Sequence, residues 1–209
     1  MKKHLLLLAA IITFSYVGAQ DNNAWLQSRV LKVDPADVEK FEAAVAKKTR
    51  MYNSEDGTPR WITFRILTGQ NANQYLRVQY ITSPEELDNI DTVGNAYWQK
   101  TVGDLHESGA VRRWEKANPA SYEPESDGLR PLTRALFFNF KPTKSDDFWN
   151  FRVRLANAHK EAGTSVNMQT WWCSSGCDGS GAVTFYYFKN YEEQAAANQE
   201  IQKAVEKYN

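Results

Sequence analysis

The sequence predicts an α+β fold in which one βαββαβ unit is written twice, the second copy lacking its last strand. Three observations carry this reading. Sliding the chain against itself by 107 positions brings landmarks together without a gap: Pro35 on Pro142, Phe41 on Phe148, Gly69 on Gly176, Tyr80 on Tyr187, and Glu85-Glu86 on Glu192-Glu193. The matched residues punctuate structure, marking a helix start, a turn and a second helix start. Between them, strand-like and helix-like apolar periods follow in the same order in both halves.

Each element of the first copy has a local cause. Trp25 to Val33 reads as a strand. Asp34-Pro35 then opens a helix to about Asn53, with proline where its missing N–H costs nothing and with Val38, Phe41 and Val45 on one face. Arg60 to Leu67 and Gln74 to Ile81 alternate apolar and polar residues, and the Gly- and Asn-containing segment 68–73 joins them as a hairpin. Ser83-Pro84-Glu85-Glu86 is a capping box for a second helix carrying Leu87, Ile90, Gly94, Tyr97, Thr101 and Leu105. Ala110 to Glu115 reads as a fourth strand.

The second copy repeats the order. Leu132 to Phe140 is a strand, Ser145 to Ala162 a helix, and Ser165 to Trp172 with Ala182 to Phe188 a hairpin. Asn190-Tyr191-Glu192-Glu193 repeats the cap, and Ile201, Ala204, Val205 and Tyr208 mark the last helix. No fourth strand follows Asn209 in this sequence. The expected organisation is a leader over 1–19, a first unit over 20–117, a Pro-containing linker over 118–130 and a second unit over 131–209.

The leader is read from Lys2 and Lys3, the apolar run Leu5 to Val17 and the small residues Val17-Gly18-Ala19, which place signal cleavage after Ala19. Export to the periplasm or outside the cell follows, with no membrane attachment once the leader is removed. The mature chain keeps 23 basic against 25 acidic side chains, because the leader removes two lysines and no acid. That balance argues against nucleic acid as a partner. Cys173 and Cys177 are the only cysteines, and in an oxidising compartment their closeness reads as a local disulfide.

The signatures of phosphate loops, nucleophile elbows, zinc helices and dinucleotide turns are absent, and two mature histidines leave no multi-histidine metal site. Candidate ligand-pocket residues remain. His159 shares a helical face with Phe148, Phe151 and Leu155, and its 107-offset equivalent is Tyr52. A neutral imidazole there suits haem iron or general-base work; the plainer reading, which leads, is a histidine at a helix end, hydrogen-bonded or partly exposed. Arg65 and Arg77 alternate with apolar residues on the first hairpin. If the apolar face meets the helices, both arginines point inward, where guanidiniums can hold a carboxylate. Their equivalents are Trp172 and Thr184.

The element order is ferredoxin-like. Two such units in tandem, from Trp25 to Asn209, resemble the dimeric α+β barrel superfamily in a fused form. Its members include antibiotic-biosynthesis monooxygenase-like, EthD-like and haem-degrading proteins. The resemblance implies one pseudo-symmetric barrel with helices outside, and it transfers no catalytic residue. Three functions are therefore in play: binding of a small, partly apolar organic molecule without turnover, which leads; a cofactor-free monooxygenase or isomerase; and haem binding through His159 or His106. No cofactor is required by the first two.

Overall fold

The computed structural model describes residues 24–54, 60–83, 85–125 and 129–208. The predicted leader and its cleavage point lie outside these residues. The strands are β1 (Trp25–Lys32), β2 (Arg60–Arg65), β3 (Tyr75–Ile81), β4 (Glu107–Ser108), β5 (Arg112–Lys116), β6 (Leu132–Phe140), β7 (Asn167–Ser175) and β8 (Ser180–Phe188). The helices are α1 (Val38–Tyr52), α2 (Glu85–Asp88), α3 (Thr92–Thr101), α4 (Ser145–Ala162) and α5 (Tyr191–Tyr208).

All strand pairs are antiparallel, in the order β2-β3-β1-β5-β7-β8-β6, with the short β4 beside β1. The first half contributes β2-β3-β1-β5 and the second β7-β8-β6, which is the same order less its last strand. The halves join where β5 pairs with β7. In a flat sheet β3 and β8 would lie about 19 Å apart, four strand spacings. Yet Tyr80 of β3 and Tyr187 of β8 are hydrogen-bonded at 2.9 Å. The sheet therefore curls into a half-barrel that brings its two halves face to face.

Strand parity then sorts side chains into two layers. The concave face carries Leu26, Val78, Trp114, Trp171, Val183 and Phe185, one apolar cluster drawn from both halves. The convex face meets the helices in two further clusters. Leu31, Phe41, Val45, Tyr75 and Trp98 pack in the first half; Leu155, Met168, Tyr186, Phe188 and Ala197 pack in the second. Strands β2 and β6 are the two ends of the sheet. Phe137 of β6 lies on the concave side, 6.1 Å from the Trp114 ring, and is still 54% exposed, because no described strand covers that edge.

Caps set several boundaries. Asp34 accepts a hydrogen bond from Ala36 N at 2.9 Å ahead of α1. Gly163, at φ +59°, ends α4 in the left-handed conformation. The second helix of the first half departs from expectation: it is broken after Asp88, and α3 begins afresh at Thr92. Asp91 is the cause, since its Oδ1 accepts from Gly94 N at 2.8 Å and starts a new helix. In the second half Asn190 Oδ1 accepts from Glu193 N, and the Glu193 carboxylate accepts from Lys189 N; α5 then runs unbroken.

Candidate functional site

The β2–β3 hairpin places its faces opposite to the arrangement expected for Arg65 and Arg77. Its apolar residues line the concave interior, where Phe64, Leu76 and Tyr80 join the shared cluster. The arginines lie on the convex side, under or beside the helices. The alternation was sound; which layer each face would meet was not fixed by it.

Arg77 is 2% exposed, donates to Thr63 Oγ1 at 2.8 Å, and lies 3.7 Å from the Trp98 ring centre and 4.6 Å from that of Trp61. Arg65 is exposed, 3.7 Å from Glu42 Oε1. Trp172 is 40% exposed on the convex side, while its neighbour Trp171 fills the interior. Tyr52 packs against Tyr97, the two rings tilted with their centres 5.1 Å apart. His159 is fully buried beneath α4, with Nδ1 2.9 Å from Thr164 Oγ1 and its ring stacked on Tyr122. The five candidates therefore do not converge on one pocket. Cys173 and Cys177 are joined as a disulfide.

A cleft does form in the first half, from residues outside that set. Cross-strand rows build its floor: Trp61–Gln79–Gln27 in one row and Thr63–Arg77–Arg29 in the next. Helix α3 supplies the wall with Asn95, Trp98 and Gln99. The cavity has a volume of about 300 Å³ and is lined by Gln27, Arg29, Trp61, Asn95, Trp98 and Gln99. A smaller cleft of about 130 Å³ continues it past Gln79, Asp91 and Arg113. The break before α3 shapes this region, because Asn89, Ile90 and Asp91 border the smaller cleft.

The electrostatics of this layer are lopsided. Arg29, Arg77, Lys48 and His106 gather between sheet and helices. Lys48, 1% exposed, donates to Asn53 Oδ1 at 2.6 Å and lies 3.9 Å from Asp91 Oδ2. Burial, then the neighbouring Arg77, pull its pKa down to about 8. Burial also works against the charges of Arg29 and Arg77, although a guanidinium keeps its proton at any working pH. Burial, then Arg29 and Arg77, lower His106.

Strand parity on β1 carries a signal of the cleft floor. Gln27 and Arg29 share a face with Trp25 and Leu31, just as Arg77 and Gln79 do on β3, but β1 was read only as a strand.

A haem needs a histidine nitrogen facing open space. His159 Nε2 and His106 Nε2 are both buried, and neither residue borders either cleft. His106 is further boxed in by the Phe41 and Trp98 rings. The residues present do not fit haem at these positions. Among the described residues no group of three or more His, Cys, Asp and Glu side chains is placed to hold a metal ion. No described helix is long and apolar enough to cross a membrane.

The fold defines the class: a curled antiparallel sheet with helices on its outer face, as in α+β barrel proteins. Among solved structures the chain is similar to a protein provisionally described as a monooxygenase from Lactobacillus acidophilus NCFM, at 8% identity and a TM-score of 0.63, over 88% of this chain and 86% of that one. A protein from Fusobacterium nucleatum with the same provisional description matches at 9% identity and 0.62, over 90% and 86%. A chlorite dismutase variant from Candidatus Nitrospira defluvii matches at 15% identity and 0.54, over 89% and 83%. No family model matches the chain, and no curated protein matches it in sequence. At these identities the likeness shows the fold.

Proposed function

We propose that this is an exported two-unit protein that binds a small, partly apolar organic molecule without turning it over, and that the first-half cleft is its binding site. The observation that carries the reading is the cleft's construction. Two indoles, with Arg77 held between them, border the cleft with apolar surface, and the side-chain amides of Gln27, Asn95 and Gln99 offer directional hydrogen bonds. A few polar groups set among apolar surface is the usual make-up of a small-molecule site, and the volume suits a ligand of one or two rings.

The decisive test is native mass spectrometry of protein purified without denaturation, with thermal-shift screening of small molecules. The expected result is a bound species or a stabilising compound whose effect disappears in Asn95→Trp, a substitution on the exposed side of α3 that fills the cleft. A bare protein that no compound stabilises would remove the reading.

A cofactor-free oxygenase or isomerase stands second, supported by the likeness to proteins provisionally described as monooxygenases. Fold is weak evidence for activity. Oxygen uptake with quinol or phenolic substrates, abolished by substitutions facing the concave interior, would move this reading ahead.

A further inference from the structure

Arg29 is an element of the main cleft whose chemistry is incomplete. Among the described residues its guanidinium has no ion pair and no hydrogen-bond acceptor, and its Nε is shut away from water. Its neighbours make this worse rather than better. Arg77 stands directly across the β1–β3 pair, and the Trp98 ring centre is 6.0 Å from the Arg29 guanidinium carbon.

Three acids of this region are already engaged. Asp91 caps α3 and faces Lys48. Glu86 accepts from the backbone and hydroxyl of Thr82. Glu42 accepts from the Tyr75 hydroxyl and sits beside Arg65. A half-buried cation next to a second buried cation, with no counter-charge, is costly to leave so. Arg29 borders the 300 Å³ cleft, so an anion entering from solvent reaches it directly.

Arg77 has a different part. It is sealed between indoles and tied to Thr63, so it touches no ligand. It raises the local positive potential and holds the Trp98 wall in place, as a positioning residue.

We propose that the cleft is a site for an organic carboxylate with a planar apolar body, the carboxylate on Arg29 and the body against the parts of Trp61 and Trp98 that border the cleft, beside the Arg77 held between them. The proposal rests on the small-molecule reading of this cleft. One fork of guanidinium donors matches one carboxylate. A phosphate dianion would want more donors than Arg29 alone presents.

The test compares 2-naphthoate with 2-naphthamide, which differ in charge and hardly in shape. Each is titrated to millimolar concentration into the mature protein, following the indole N–H resonances assigned through Trp61→Phe and Trp98→Phe. The expected result is naphthoate binding at least about tenfold more tightly than the amide. Arg29→Gln should erase that difference and Arg29→Lys should keep part of it. Equal affinities on the unaltered protein overturn the carboxylate assignment even if the variants fail to fold, and leave the small-molecule reading standing. So does an Arg29→Gln protein that keeps the preference. If neither compound moves the indole resonances, the binding reading underneath fails instead.

Discussion

Tyr80 and Tyr187, equivalent residues of the two halves and 107 positions apart, share a hydrogen bond of 2.9 Å in the common interior. Tyr187 spends its single proton on Gln169 Oε1, also at 2.9 Å, so Tyr80 is the donor within the pair. Burial pushes both phenols above their ordinary pKa.

The direction of those bonds predicts unequal mutants. Tyr80→Phe removes a donor and leaves Tyr187 bonded to Gln169, at a cost of about 1 kcal/mol. Tyr187→Phe orphans both the Tyr80 hydroxyl and the Gln169 carbonyl, and should cost about 2 kcal/mol or more. Urea unfolding at neutral pH measures both, and the reverse ranking would show the donor direction to be wrong.

Arg152 of α4 is buried with neutral partners only. It donates to Thr184 Oγ1 at 2.9 Å and to Thr170 Oγ1 at 3.3 Å, beside Met168 Sδ. The two threonines also lie within hydrogen-bonding distance of each other, at 3.2 Å. Arg152→Met therefore removes an uncompensated charge and leaves its acceptors paired. The variant should be as stable as the native protein or more stable by about 1 kcal/mol. A loss of several kcal/mol in the same unfolding assay would contradict this.

His159 carries a pKa lowered mainly by burial. The folded state then resists protonation more than the unfolded state does. Its contribution is complete above about pH 6.5, the ordinary histidine value, and declines as pH falls toward the lowered one. Stability should drop between about pH 7.5 and pH 5. His159→Gln should show a shallower drop, with His106, also lowered by burial, supplying part of what is left. Parallel profiles for the two proteins would count against a neutral buried imidazole.

The Cys173–Cys177 bridge tethers the β7–β8 turn, where Gly176 packs so close to the Val111 carbonyl that a Cβ would collide with it. Reduction should raise the intact mass by two hydrogens. The double Cys→Ser variant should lose about 2 kcal/mol, as expected for a short closed loop. Unchanged stability on reduction would mean that the turn is held by packing alone.

The sequence made some features plain and hid others for physical reasons. The bounds of β6 and α4 match the predicted spans because a run of β-compatible residues and a Gly163 terminator are local signals. The equivalence of Tyr80 and Tyr187 came from the repeat offset. The broken second helix was missed: Leu87, Ile90 and Gly94 keep helical spacing, and only the side-chain cap of Asp91 cuts the pattern. The faces of the β2–β3 hairpin were inverted because parity says which residues travel together and not which layer receives them. Arg29 is not legible in the sequence because its solitude is a property of space: the chain cannot show that Asp91, Glu86 and Glu42 are occupied elsewhere.

Each half also hides a guanidinium against the corresponding threonine, Arg77 on Thr63 and Arg152 on Thr170. The first arrives from a strand and the second from a helix; at the equivalent positions stand Thr184 and Val45. An alignment of the halves, column by column, scores two mismatches, Arg77 with Thr184 and Val45 with Arg152, where the architecture has kept one solution by exchanging its supplier. A search for kin of this protein should therefore weigh what occupies a given volume above which letter occupies a given column, since descent here is better remembered by shape than by spelling.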